Sequence, residues 1–242
     1  MPSITLVTSL YRSEKYLEKF IEYLHRCEKR LVDLAPQIQY EFLIVSNDAS
    51  EKERKILAET DIQKLRTIFV PRESLYASWN RGVREASGDV IAFWNVDDVR
   101  FADAIIDGMR LLADGNDLVY FLFRYKRFVR FCGIDILIKN TVIKPPVFDR
   151  DRFAREMHCG PFFMFTKSFF KRVGAFDESF KIAGDFDWCA RAARMGTCIR
   201  SEKVAGIFTN SGTSLSGSKN PLQQEENDRI YQKNRMLDKI PS

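Results

Sequence analysis

The chain has 242 residues, 45% of them hydrophobic and 20 of them Phe, enough for one large domain or two lobes sharing a core. Lys+Arg 38 against Asp+Glu 33 gives a formal net charge of +5, too mild for a nucleic-acid binder but suited to anionic small molecules or an anionic membrane surface. The five cysteines form no C-x-x-C pair and no run of about 18 apolar residues exists, which argues against a zinc site, a disulfide framework and a membrane span.

A reducing, cytoplasmic setting is therefore expected, and Met1 running straight into Ile4–Val7 leaves no signal peptide to expect. Ile4–Leu10 reads as a first strand. Ser13 is placed to cap a helix in which Tyr16, Leu17, Phe20, Ile21, Leu24, Cys27 and Leu31 recur at spacings of three and four. Tyr40–Val45 reads as a second strand, ending in Ser46-Asn47-Asp48-Ala49-Ser50, and Ser50 with Glu53 makes a capping box. Thr67–Val70 is a third strand, and Tyr76–Ala86 a helix closed by Ser87-Gly88. Val90–Trp94 is an apolar run without alternation, as expected of a strand buried on both faces, and it stops at Asn95-Val96-Asp97-Asp98. This β-α-β-α-β-α-β order predicts a parallel sheet with helices on its faces.

After Asp98 the alternation loosens. Ile105, Ile106, Met109, Leu111 and Leu112 predict a helix ending near Asp114-Gly115, and Leu118–Phe123 a strand. Arg124–Arg130 interleaves Arg124, Lys126, Arg127 and Arg130 with Tyr125, Phe128 and Val129, a β-ribbon with aromatic and basic faces. Its charges serve either as a solvated face or as a surface for nucleic acid or phosphate-bearing lipid. Lys144-Pro145-Pro146 breaks the structure. His158 precedes the apolar run Phe162–Phe165, and a helix starts near Thr166. Gly174–Phe180 is a turn-rich connector. Ala183-Gly184-Asp185-Phe186-Asp187-Trp188 opens a helix that ends at Met195-Gly196. Two short strands at Cys198–Arg200 and Val204–Phe208, a mobile Ser/Gly-rich loop at Ser211–Lys219 and a polar helix at Leu222–Leu237 complete the chain. The expected division is 1–100, 101–215 and a tail at 216–242.

The strand ends carry Ser9-Leu10-Tyr11-Arg12, Asn47-Asp48 and Asn95-Val96-Asp97-Asp98. In a parallel sheet these gather on one edge, where ligands bind, and polar groups there describe a nucleotide-sized crevice. Asp97 and Asp98 offer hard oxygen ligands for a divalent cation, while Asp98 is equally suited to cap the next helix.

The order of these pieces resembles the family 2 glycosyltransferases over about Ile4–Phe208. The pieces are Ser9-Leu10-Tyr11-Arg12 with Lys15-Tyr16-Leu17, Asn47-Asp48-Ala49-Ser50, Ser78-Trp79-Asn80-Arg81-Gly82, Asn95-Val96-Asp97-Asp98, and Gly174-Ala175-Phe176-Asp177-Glu178 followed by Gly184-Asp185-Phe186-Asp187. The family's first Asp is replaced by Asn47 on the second strand and by Asn95 on the fourth.

The resemblance implies an α/β GT-A fold: a Rossmann-like, mostly parallel nucleotide-binding sheet with helices on both faces and a smaller C-terminal acceptor-binding part. It implies an inverting, hexosyltransferase-type enzyme that uses a nucleoside-diphosphate-sugar donor and Mg²⁺ or Mn²⁺, in polysaccharide or glycolipid assembly. Asp97 and Asp98 would be the metal ligands, with metal affinity reduced by Asn95. Ser9, Tyr11, Asp48, Arg72, Asn80 and Asn95 would contact the donor, with Arg81 a second cation for the diphosphate. Asp185 would be the catalytic base, leaving Asp187 to structure. The acceptor would be a carbohydrate or lipid-linked hydroxyl compound, with peripheral membrane contact through the basic ribbon. Two rivals stand beside this reading. One is a non-catalytic sugar-nucleotide binder, motivated by Asn47 and Asn95. The other is a nucleotidyltransferase, disfavoured because the first turn has no Gly.

Overall fold

The computed structural model of the protein describes residues 2–131, 133–210 and 220–237. The first unit runs β1 (Ile4–Tyr11), α1 (Glu14–Leu34), β2 (Tyr40–Asn47), α2 (Glu51–Ala58), β3 (Leu65–Val70), α3 (Leu75–Glu85) and β4 (Val90–Phe93). The chain continues with β5 (Val99–Arg100), α4 (Ala102–Ala113), β6 (Leu118–Phe131), β7 (Ile134–Ile143), α5 (Arg150–Phe153), β8 (Met164–Thr166), α6 (Lys167–Val173), α7 (Gly184–Met195), β9 (Cys198–Asn210) and α8 (Pro221–Leu237). The strands form one sheet in the order β3-β2-β1-β4-β8-β6-β9-β5, with β7 paired to β6. β1 to β4 are mutually parallel and β6 is parallel to β9, while β8 and β5 run antiparallel to their neighbours.

The unalternating run on β4 has the expected cause. Val90 and Ala92 enter the core under α1 and α4, whereas Ile91 and Phe93 enter the core under α3, α6 and α7. Both faces are covered, as a parallel sheet requires. Trp79 of α3 stacks on Phe93 at 4.0 Å. Gly82 lets α3 lie on β1, because a Cβ there would come within 2.3 Å of Val7.

Several expectations change in detail. Ser13 does not cap α1 with its side chain; its hydroxyl turns back to the Tyr11 backbone instead. Ser50 and Glu53 do form the capping box. The two short strands after α7 are a single strand, β9. Its pairing with β6 jumps from Phe121↔Ser201 to Leu122↔Val204, so Glu202 and Lys203 bulge out and break the sequence pattern. The ribbon at Arg124–Arg130 is the outer half of β6, paired with β7. Its faces do not separate aromatic from basic residues. The Ser211–Lys219 segment lies outside the described residues. The polar C-terminal helix is present as α8 and packs on α7, burying Ile230, Glu226 and Asn234. No described helix is long and apolar enough to cross a membrane.

Candidate active site

The carboxyl ends of β1, β2 and β3 lie side by side, with Tyr11 level with Asn47 and Asn47 level with Val70. Arg12 and Asp48 then adopt left-handed backbone conformations, with φ of 50° and 48°. Two adjacent chains thus turn sharply at the same edge, at some cost in strain for Arg12 and less for Asp48. The Asp48 N–H donates to the Val70 carbonyl at 2.9 Å, and its residue is exposed. Tyr11 is fixed by its own turn: its N–H donates to Ser13 Oγ at 3.2 Å, and the Ser13 N–H donates to the buried Glu53 Oε1 at 2.7 Å. The guanidinium groups of Arg72 and Arg12 lie 4.7 Å and 5.2 Å from the centre of the Tyr11 ring. Neither cation has an acidic partner among the described residues. Arg12 was missed by sequence reasoning, although an Arg directly after a strand-ending Tyr is the kind of signal that finds it.

Arg81 is occupied differently. It forms a fork with Glu73, Nε to Oε1 at 3.0 Å and Nη2 to Oε2 at 2.8 Å. These bonds hold the Glu73 carboxyl below its ordinary range. Asn80 donates to the Phe176 carbonyl at 3.0 Å and to Glu178 Oε1 at 2.8 Å, and accepts from the Phe176 N–H at 2.9 Å. Both ends of its amide clamp the Gly174–Glu178 connector to α3.

Asn47 explains one departure from the family pattern. It is buried, and its Nδ2 donates to the Leu10 carbonyl at 3.1 Å and to Ser78 Oγ at 2.9 Å, with Ser9 Oγ at 3.3 Å. Its Oδ1 accepts from the Glu73 N–H at 3.2 Å. An ionised aspartate has no hydrogen to give Leu10, so an amide is the residue that ties β1, β2 and α3 together here. Ser9 is half-buried on this hub.

The turn after β4 separates two acids. Asp98 is 1% exposed, with Oδ1 accepting from the Thr209 N–H at 3.1 Å and Oδ2 accepting from Asn95 Nδ2 at 3.2 Å. The Trp94 indole N–H donates to its carbonyl at 3.1 Å. Burial, and then the neighbouring Asp97 charge, push the Asp98 carboxyl well above the usual carboxylate range. Asp98 is thus a cross-link from the turn to β9. Asp97 is exposed, and the protein around it raises its carboxyl somewhat by desolvation. Among the described residues no three His, Cys, Asp or Glu side chains converge as a cation cage. One free carboxylate fits a hard cation that takes most of its ligands from phosphates and water, and Asp97 is the acid of this turn left exposed.

Asp185 stands in the first turn of α7, facing α3. Its Oδ1 accepts from the Phe186 N–H at 2.9 Å, and the Tyr76 hydroxyl oxygen lies 3.4 Å from it. Its Oδ2 has no protein partner among the described residues. Burial pushes its carboxyl up to about 6, against the pull of the Phe186 N–H. The Tyr76 hydroxyl gives its one proton to the Ile182 carbonyl at 2.6 Å, and its ring lies so close to Gly184 that a Cβ there would come within 2.6 Å of it. Tyr76 therefore joins the α7 start to the helix that leaves the donor edge.

The same segment is held from behind by α8. The buried Glu226 accepts from the N–H groups of Lys181, Ile182 and Ala183 at 2.7, 2.9 and 2.8 Å. These donors would otherwise lack partners at the head of α7. Nothing local in the sequence pairs Glu226 with positions so far upstream. Asp187, also buried, binds Arg191 Nε at 2.9 Å and Lys233 Nζ at 2.8 Å, the structural use expected of it. Trp188 is a core residue, 4.7 Å from Phe165 between ring centres. His158 packs on Phe153 at 5.0 Å, with Nε2 2.7 Å from the Glu156 carboxylate. Cys27, Cys159 and Cys189 are buried free thiols. The surface grooves along α8 at Gln224 and Asp228, and beside Thr166 and Lys171, contain none of the candidate residues.

The model of the family described as Glycosyl transferase family 2 matches residues 5–174, well over half of the chain. The chain belongs to this family. It is a glycosyltransferase, and Asp185, α7 and α8 lie beyond the matched region. S. aureus TarS 1-349 in complex with UDP superposes with a TM-score of 0.69 at 16% identity, over 100% of this chain and 67% of that one. The same protein in complex with UDP-GlcNAc gives 0.65 at 13% identity, over 96% and 71%. The mannosyltransferase PcManGT from Pyrobaculum calidifontis, in complex with GDP-Man and Mn²⁺, gives 0.62 at 14% identity, over 97% and 73%. At these identities the likeness establishes the shared GT-A fold. No curated protein matches the chain in sequence.

Proposed function

We propose that the protein transfers a hexosyl group from a nucleoside-diphosphate sugar to a hydroxyl of a carbohydrate or lipid-linked acceptor, with inversion at the sugar carbon. The setting would be polysaccharide or glycolipid assembly on the cytoplasmic side of a membrane. The observation that carries the reading is Asp185: a half-buried carboxylate with one oxygen held by the Phe186 N–H beside the Tyr76 hydroxyl, and with no partner on the other oxygen and no cation on it among the described residues. In a single displacement the acceptor oxygen bonds to the sugar carbon as the bond to the diphosphate oxygen breaks. The acceptor proton passes to Asp185, and the bonding electrons leave with the nucleoside diphosphate.

Tyr11 would border the base, with Arg12 and Arg72 facing the diphosphate. Asp48 would accept a base N–H, and Ser9 and Asn95 would line the ribose and sugar. Asn80 would act at one remove, by holding the connector that leads to α7. A divalent cation, Mg²⁺ or Mn²⁺, would be held by Asp97 together with the donor phosphates, and when bound it supplies neutralisation of charge on the leaving diphosphate. The S. aureus relative was solved with UDP and with UDP-GlcNAc, and the P. calidifontis relative with GDP-Man and Mn²⁺, which supports donors of this class here.

The binding-module rival drew on Asn47 and Asn95. Asn47 bonds the Leu10 carbonyl and Asn95 bonds Asp98, so both amides have uses that leave Asp185 and Asp97 open. The test is a panel of nucleoside-diphosphate sugars with Mg²⁺ or Mn²⁺, measuring nucleoside diphosphate release. Release from at least one donor, increased by the cation, is expected. Release from none, with or without acceptor extracts, would leave a sugar-nucleotide-binding module.

A further inference from the structure

The outer β6–β7 hairpin has no role in the chemistry above, and it concentrates apolar surface outside the core. Val129, Phe131, Ile134, Ile136, Leu137, Ile138 and Val142 are all exposed there, and Phe131 and Ile134 reach 67% and 68%. Contiguous exposed apolar surface of this kind marks an interaction site. Among the described residues β6 past Arg127 pairs with β7 alone over Phe128–Phe131, a stretch about 13 Å long.

The register sorts the hairpin into two unlike faces. Side chains two apart on β6 share a face, and directly paired residues share it too. One face carries Val129 opposite Ile136 and Phe131 opposite Ile134, an apolar quartet at the tip. Behind the quartet on that face come Arg127 opposite Lys139, and then Tyr125. The other face carries Phe128 opposite Leu137, and Arg130 is neutralised by Asp135 at 2.9 Å. The register slip between Arg127 and Phe128 leaves Ile138 as a bulge and keeps the quartet aligned. Over 124–143 there are five cations, Arg124, Lys126, Arg127, Arg130 and Lys139, against the single acid Asp135, a net of +4 within a chain of +5.

An apolar tip with a basic collar behind it matches a layer whose hydrocarbon lies beneath anionic headgroups. We propose that this face of the β6–β7 hairpin docks the protein on an anionic lipid surface. The docking stands on the hairpin alone; only its consequence, a lipid-linked acceptor, rests on the transfer reading. The placement suits that consequence. Thr209, whose N–H binds Asp98, pairs with Lys126 at the hairpin base, so the docking element springs from the strand pair that holds the candidate site.

The three tryptophans Trp79, Trp94 and Trp188 are buried, so Phe131→Trp adds an exposed fluorophore at the tip. The test titrates this variant with vesicles of phosphatidylcholine alone and of phosphatidylcholine mixed with phosphatidylglycerol. A blue shift with the mixed vesicles, absent with the neutral ones and reversed by salt, is expected. Adding Arg127→Glu and Lys139→Glu should weaken binding more than tenfold, on the order expected for two cations at an anionic surface. These side chains are exposed, and circular dichroism checks that the fold persists. No shift, or equal binding to neutral vesicles, overturns the proposal. A concentration-dependent dimer in sedimentation, abolished by Ile134→Ser, would also overturn it by making the face a contact between copies. Nucleoside diphosphate release from a soluble donor by Ile134→Ser reports on transfer separately from docking.

Discussion

Asp98 is buried and Asp185 half-buried, desolvation raises both carboxyls, and yet the two are held in opposite ways. Asp98 has one oxygen bonded by Asn95 from its own turn and the other by Thr209 from a distant strand. Asp185 has the Phe186 N–H and the Tyr76 hydroxyl both beside a single oxygen, and its second oxygen has no partner among the described residues. The difference teaches that burial alone does not mark a catalytic acid. What suits Asp185 to the proposed role of base is an acceptor oxygen without a partner among the described residues, on a carboxyl that the surrounding chain holds steady. The exposed Asp97 completes the contrast: it belongs to the same turn as Asp98, yet only Asp97 offers its carboxylate to the solvent side.

The contrast breaks most sharply at Asp185. Asp185→Asn should lower transfer by on the order of 10²–10⁴-fold while donor binding, followed calorimetrically, stays within about twofold of wild type. Wild-type turnover in this variant would remove the assignment. Next in size is the Asp97 and Asp98 pair. Asp97→Ala should reduce cation-supported donor affinity on the order of tenfold with little change in melting temperature. Asp98→Ala should instead cost about 1–3 kcal/mol of stability, because the Thr209 N–H and Asn95 amide lose their acceptor. If the two variants exchanged phenotypes, the division of labour within the turn would be wrong. The smallest effect is expected at Glu226→Gln. Its negative charge helps to raise the Asp185 carboxyl, so its removal should move the acid limb of the transfer rate to lower pH. The donor KM should stay unchanged, and kcat should fall a few-fold as the 181–183 segment loosens. A loss of stability with no movement of the limb would reduce Glu226 to a packing role.

Much of the first half was legible because β1, β2 and β4 are buried on both faces and the helices are amphipathic, so pattern and structure agree from Ile4 to Phe93. The second half was less so. β5 is two residues long, β9 is split by a bulge at Glu202 and Lys203, and β7 is exposed along its outer half, so none carries a clean period-two signal. The strand-end residues Tyr11, Asp48 and Asp97 could be nominated because parallel strands deliver their ends to one edge. The family resemblance put Asp97 ahead of Asp98 as a cation ligand, but the sequence alone could not tell which acid turns inward, since that depends on Thr209 a hundred residues later. Nor could it see that Arg81 is neutralised by Glu73, or that Asn47 must donate to Leu10. Glu226 was invisible for the same reason: its partners are backbone N–H groups of a distant loop.

The pH dependence of transfer tests the central claim most directly, because activity and stability should move in opposite directions. A base must be ionised to act, so kcat/KM should fall tenfold per pH unit below about 6, the level to which burial raises Asp185. Folding holds that same proton more tightly than the unfolded chain does, so this group's contribution to stability is present at low pH and lost as pH rises through about 6. The carboxyls lowered by their partners, Glu41, Glu73, Glu156, Asp177 and Glu202, work the other way, and only as pH falls into and below the ordinary carboxylate range. Between pH 7 and 5 the account therefore predicts falling turnover with no loss of melting temperature. A rate independent of pH across that interval, or a rate that falls only as the protein unfolds, would contradict Asp185 as the base.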